Sequence, residues 1–268
     1  ETLQLAANNS KDEQQRLLTL AERQMLSDDW SGLSALIDSA LKAQGCNNSN
    51  WMPVFASAFG YGDAIEDFSK RAIACDPLNR INYSTRATVA LANGQGQRAL
   101  DIRANLPKSF NPTGSLSGVG AAQALMLLGR FDEAGKMLDD IPVDAQNENY
   151  TMARVLLGRA RGESPDDIHA RLQSVDRKPS KYSQWLLADA VEAANSGNRA
   201  EANRLAAALD ARPAGPFLLA VLSQSCYCGA PFDLEATPNF KARLAESGLR
   251  WPPPVVIAPP LTATVKSP

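Results

Sequence analysis

Apolar residues recur along this chain at helical spacing, in short segments separated by glycine-bearing turns. In "DEQQRLLTLAERQML" (12–26), Leu17, Leu18, Leu20, Ala21 and Leu26 fall along one face, and "DDWSGLSALIDSALKAQG" (28–45) reads as its hairpin partner. "LMLLGRFDEAGKMLDD" (125–140) reads as the end of one helix, a tight turn and the start of the next. Near the far end, "GPFLLAVLSQSCYCG" (215–229) predicts an apolar helix with Pro216 in its first turn and Gly229 at its exit. "TPNFKARLAESG" (237–248) predicts another, with Thr237 as N-cap, Pro238 at the first helical position and Gly248 as C-cap. No segment alternates with the period of a strand, so the fold class is all-α.

The turns keep a period. Gly60, Gly94, Gly129, Gly162 and Gly197 each follow a helical stretch, at spacings of 34, 35, 33 and 35 residues. Glycine suits a left-handed helix C-cap because it has no Cβ to clash. Five such caps at one interval indicate internal repeats. Ala99, Ala134 and Ala202 stand five residues after a cap, with Ala64 as the equivalent after Gly60; Ala87, Ala122 and Ala190 stand seven residues before one. Small residues there let paired helices approach closely. Tyr83, Ile102, Phe131, Leu138, Trp185 and Leu205 fill the outer seam. Where the pattern wants alanine at 167 the residue is Asp, so that repeat is degenerate or Ile168 takes the core place.

"AAQALMLLGRFDEAGKML", "ALANGQGQRALDI" and "YGDAIEDFSKRAIACDPLN", the last with the closing pair Asp76-Pro77, resemble the tetratricopeptide (TPR) superfamily, whose unit is a 34-residue antiparallel helix pair. The resemblance spans roughly residues 47–211. It implies a right-handed α-solenoid of about seven antiparallel helix pairs. Residues 1–46 would be an N-terminal hairpin, 47–211 the repeats, 212–250 capping helices and 251–268 a Pro-rich tail. Pro-rich composition favours extended polyproline geometry, so the tail is either free or laid on its own solenoid or a neighbour.

In that family the first helix of each pair lines a concave groove. Carried over, the groove positions are Ser84, Thr88 and Leu91; Val119, Gln123 and Met126; Asn149, Met152, Leu156 and Arg159; and Gln184, Leu187 and Val191. This lining is nearly neutral and lacks the Lys-rich clamp that grips an acidic C-terminus. The implied partner is a protein or extended, weakly charged peptide, with Met126 and Met152 as adaptable contacts. The stretch "CYCGAPFDLEATPNFKARLAESGLRWPP" is similar to the close of TPR regions in bacterial membrane-anchored signalling proteins, notably winged-helix regulators and nucleotide cyclases. That likeness implies an extracytoplasmic sensory or scaffolding part; the alternatives are a small-molecule sensor with a pocket near Trp185, Tyr150 and Met152, and a cytoplasmic scaffold.

Composition narrows the classes further. At 268 residues, 44% hydrophobic and 21% charged, the chain can bury a sizeable core. Net charge is −2 and the basic residues are scattered, which disfavours nucleic acid and anionic membrane surfaces. No stretch is apolar enough to span a bilayer. Opening at Glu1 without an apolar leader, the sequence reads as a processed protein or a fragment cut from a longer one, the fragment being the favoured reading.

Reactive chemistry is sparse, and no catalytic residue, metal site or cofactor is expected. The single histidine, His169, follows Asp166 by three residues; a carboxylate-oriented base is the functional reading and a solvent-exposed helix residue the simpler one. "GSLSGVG" (114–120) has Leu116 where a nucleophile elbow needs serine, and it lacks the ending of a phosphate loop, so a helix N-terminus explains it better. Cys46 and Cys75 fall at adjoining ends of an antiparallel hairpin, which allows either a disulfide or two buried thiols. Cys226 and Cys228 would point about 200° apart on a regular helix, so they bond only if the helix frays before Gly229. A zinc site using all four is disfavoured by the distance between the pairs. Disulfides would indicate an oxidising compartment such as the periplasm.

Overall fold

A computed structural model describes residues 7, 10, 12–46, 51–107, 109–110, 117–177, 185–251 and 257. Among the described residues the chain forms fourteen α-helices and no strand. They are α1 (Glu13–Met25), α2 (Leu33–Lys42), α3 (Trp51–Ser57), α4 (Gly62–Cys75), α5 (Arg80–Ala92), α6 (Gly96–Ala104) and α7 (Gly118–Leu127). The remainder are α8 (Phe131–Asp139), α9 (Glu148–Arg161), α10 (Pro165–Leu172), α11 (Trp185–Asn195), α12 (Arg199–Asp210), α13 (Gly215–Cys226) and α14 (Pro238–Ser247).

Local chemistry sets the ends of these helices. Asp12, Asn79, Ser117, Asn147, Ser164 and Asn198 each accept a first-turn amide through the side chain, which satisfies a donor the helix itself leaves open. The periodic glycines all take positive φ: 86° at Gly60, 71° at Gly94 and Gly129, 74° at Gly162 and 79° at Gly197. Thr237 precedes α14 but makes no side-chain cap. Instead Asp210 of α12 accepts the amides of Asn239 and Phe240, each at 2.9 Å. Burial holds its carboxyl above the usual value, against the lowering effect of those two bonds.

Helices adjacent in sequence pack as neighbours almost throughout, and alternate ones stack in two runs, α1–α3–α5 and α7–α9–α11–α13. Between α5 and α7 the stacking loosens. The small-residue positions lie at these contacts: Ala87, Ala122, Ala134, Ala190 and Ala202 are fully buried, and Ala99 is nearly so. Two positions depart from the repeat pattern. Ala64 is exposed and its neighbour Ile65 is buried, because Ile65 stands five residues after Gly60, as Ala99, Ala134 and Ala202 do after their glycines, and Ala64 only four. In the degenerate repeat, Ile168 is buried and Asp167 exposed. Replacing Ala134 by leucine is expected to overpack the α8 crossing and cost roughly 1–3 kcal/mol. An unchanged urea midpoint would show that α8 can move away from its neighbours without loss.

α13 breaks the pattern of neighbour-only contacts. It packs on α12 and α14, but also on α11, α9 and α3, and so reaches across both stacking runs. Every residue from Gly215 to Gln224 is buried, as its all-round apolar sequence requires. An aromatic cluster carries the closure further. Trp30, between α1 and α2, meets Phe55 and Phe59 at 5.2 and 6.4 Å and Phe240 of α14 at 6.2 Å, while Phe55 stacks on Phe217 of α13 at 5.8 Å. Trp251 completes the group on Phe240 and Phe232, at 5.0 and 6.4 Å. The first and last hairpins therefore share one core.

Candidate functional site

Where the stack loosens between α5 and α7, a cleft of about 500 Å³ opens. Ser84 and Thr88 of α5 form one side; the start of α7, from Ser117 to Gln123, forms the opposite side with Asn147 and Asn149 at the head of α9. The end of α13 makes the floor through Val221, Leu222, Gln224, Ser225 and Tyr227. Among the described residues that line the cleft, none is charged.

Its polar groups are fixed by the surrounding helices. Thr88 Oγ1 donates to the Ser84 carbonyl at 3.0 Å, and Ser117 Oγ accepts the Gly120 amide at 3.4 Å. Gln123 Nε2 donates to the Ser225 carbonyl at 2.7 Å, which ties α7 to the end of α13. That carbonyl is free to accept because α13 stops there: Tyr227 takes a left-handed conformation, φ 49°, and Cys226 and Cys228 on either side of it form a disulfide. Gln224 donates to the Tyr227 hydroxyl at 3.3 Å, and burial pushes that phenol well above its usual range. The Tyr227 carbonyl in turn accepts the Ile257 amide at 2.9 Å, so the Pro-rich segment returns to the floor of the cleft at that residue.

The groove positions carried over from the repeat family divide into groups. Ser84, Thr88, Gln123 and Asn149 line the cleft. Met126, Met152 and Val191 are buried in the core. Arg159 is half-buried, donates to Asn195 Oδ1 at 3.3 Å, and has its pKa lowered by desolvation. Gln184 lies outside the described residues. Ser117, Asn147 and the α13 floor are cleft residues that the family positions do not name. The all-round apolar character of "GPFLLAVL" was the available signal, since a true end cap would show a polar outer face.

The cysteines are all paired. Cys46 bonds Cys75 with a Cα separation of 5.5 Å, and Cys226 bonds Cys228 at 5.2 Å. His169 is exposed and pairs through Nδ1 with Glu192, not Asp166, while Gln173 Nε2 sits 3.0 Å from its Nε2. Both ring nitrogens are thereby engaged. A separate charged cluster joins α4, α5 and α6, where the buried Glu66 carboxylate meets Arg86 and Lys70 at 3.2 and 3.5 Å and also Arg98. Among the described residues no group of His, Cys, Asp and Glu is placed to hold a metal, and no helix is long and apolar enough to cross a membrane.

Compared with protein-family models, with curated proteins and with solved structures, the chain matches none of them.

Proposed function

We propose that this chain is a non-catalytic helical-repeat interaction module, a right-handed solenoid of about seven helix pairs related to the TPR superfamily, that receives an extended, uncharged segment of a partner protein. The observation that carries the reading is the cleft between α5 and α7: it has polar groups on several sides and, among the described residues, no charged one. Charged partners would lose hydration there without gaining a counter-charge. The inner face itself is covered along α3, α9 and α11 by α13, so the binding surface is this cleft and not the whole groove. The two disulfides support an extracytoplasmic setting, and with it a sensory or scaffolding part of a bacterial membrane-anchored signalling or regulatory protein. The enclosed floor built by α13 favours one further reading, a sensor for an uncharged small molecule.

Selection of a displayed library of linear random decapeptides against the oxidised protein tests the proposal. Enriched peptides should lack charge at the contacting positions and should lose binding to Ser84→Arg, which places a long cation in the cleft. Peptides that bind parent and variant equally would remove the cleft from the interaction.

A further inference from the structure

Resting on that reading, we infer that the cleft recognises its partner through main-chain amides, taking a peptide carbonyl on one side and a peptide N–H on another. The donors are the first amides of α7. A helix leaves its first N–H groups without internal partners. Here Ser117 caps Gly120, while Gly118 and Val119 offer their amides where the cleft is lined by the start of the helix. Gly118 and Gly120 have no side chains to cover this stretch. The helix dipole also favours an electron-rich oxygen at that position.

The acceptors are two side-chain amides. Gln123 is 6% exposed, lines the cleft, and uses only Nε2, on Ser225, which leaves Oε1 for a ligand donor. Asn149 Oδ1 is buried with no hydrogen-bond partner. A buried acceptor without a partner is costly, so rotation of this side chain toward a ligand N–H in the cleft is favoured. A carboxylate would satisfy the α7 amides but would face both of these oxygens with like polarity. A peptide bond supplies the carbonyl and the N–H together. Because neither group depends on side-chain identity, the cleft would accept varied sequences that share an extended, uncharged backbone.

The experiment uses three small probes on the isotopically labelled oxidised protein, followed by the amide resonances of Gln123, Asn149, Gly118 and Val119. The first is N-acetyl-trialanine methylamide. The second is the same compound with its central N–H replaced by an ester oxygen, and the third is N-acetylalanine with a free carboxylate. The capped peptide should move these four residues, the ester should bind about 3- to 10-fold more weakly, and the carboxylate more weakly again. In Asn149→Leu, confirmed as folded by its unchanged melting temperature, the difference between peptide and ester should shrink, Gln123 Oε1 remaining as the other acceptor. Equal binding of peptide and ester to the parent protein, with the cleft resonances moving, would overturn main-chain recognition and leave the cleft as a peptide site. Tightest binding by the carboxylate would also overturn it, in favour of a chain terminus. If none of the probes moves the cleft resonances, the peptide-site reading fails with it.

Discussion

Replacing Trp30 by alanine is expected to lower the unfolding free energy by about 3–5 kcal/mol, the range for truncating a large buried aromatic. The indole is fully buried, and its Nε1 donates to the Met25 carbonyl at 3.1 Å, so its polar atom is already satisfied within the first hairpin. Edge-on contacts with Phe55 and Phe240 then join that hairpin to α3 and to α14. Aromatic pairs of this kind add about 0.5–1.5 kcal/mol beyond burial. Trp30→Phe should recover part of the loss. Urea unfolding followed by circular dichroism measures the total, and hydrogen exchange locates it. If the ends share one core, amides of α14 will exchange faster in Trp30→Ala although they lie some two hundred residues away in sequence. A loss confined to α1 and α2 would mean that each hairpin is stabilised only by its sequence neighbours, as in an open array.

That long-range contact is the kind of feature a repeat pattern does not encode. The glycine period and the small residues beside it specify how each helix meets the next, and those positions, Ala64 apart, are buried or left-handed in the structure as their chemistry requires. Ile168 substitutes for the missing alanine because a degenerate position still has to fill the core. What the period leaves open is where accumulated rotations bring distant helices. Trp30 carries no mark in the sequence that pairs it with Phe240. The return of α13 was more accessible, because an end helix with no polar face needs cover on all sides.

The site divides along the same line. Ser84, Thr88, Gln123 and Asn149 were nameable because they occupy repeat positions on first helices. Tyr227 and Ser225 were not, since their place depends on α13 crossing the fold and ending at a Cys-x-Cys bond. Met152 and Val191 share the repeat positions of cleft residues yet lie in the core, because α13 packs on α9 and α11, the helices that carry them.

Removing the Cys46–Cys75 bond, in the paired variant Cys46→Ser with Cys75→Ser, is expected to cost about 3 kcal/mol. The bond joins the segment after α2 to the end of α4 across a sequence separation of 29, so it restricts the unfolded chain over a long loop. The Cys226–Cys228 bond spans a separation of only 2, and the same loop-entropy argument gives it a much smaller effect on unfolding. Its removal should instead free the end of α13 and disturb the Gln123–Ser225 contact in the cleft. Urea midpoints of the two paired variants, measured without reductant, separate these roles. Protein prepared under oxidising conditions should show no free thiol when denatured. Reductant should then lower its midpoint to that of the Cys46/Cys75 variant or slightly below it. Four free thiols in such a preparation would leave the helical array intact, remove the argument for an oxidising compartment, and make a cytoplasmic scaffold the better-supported role.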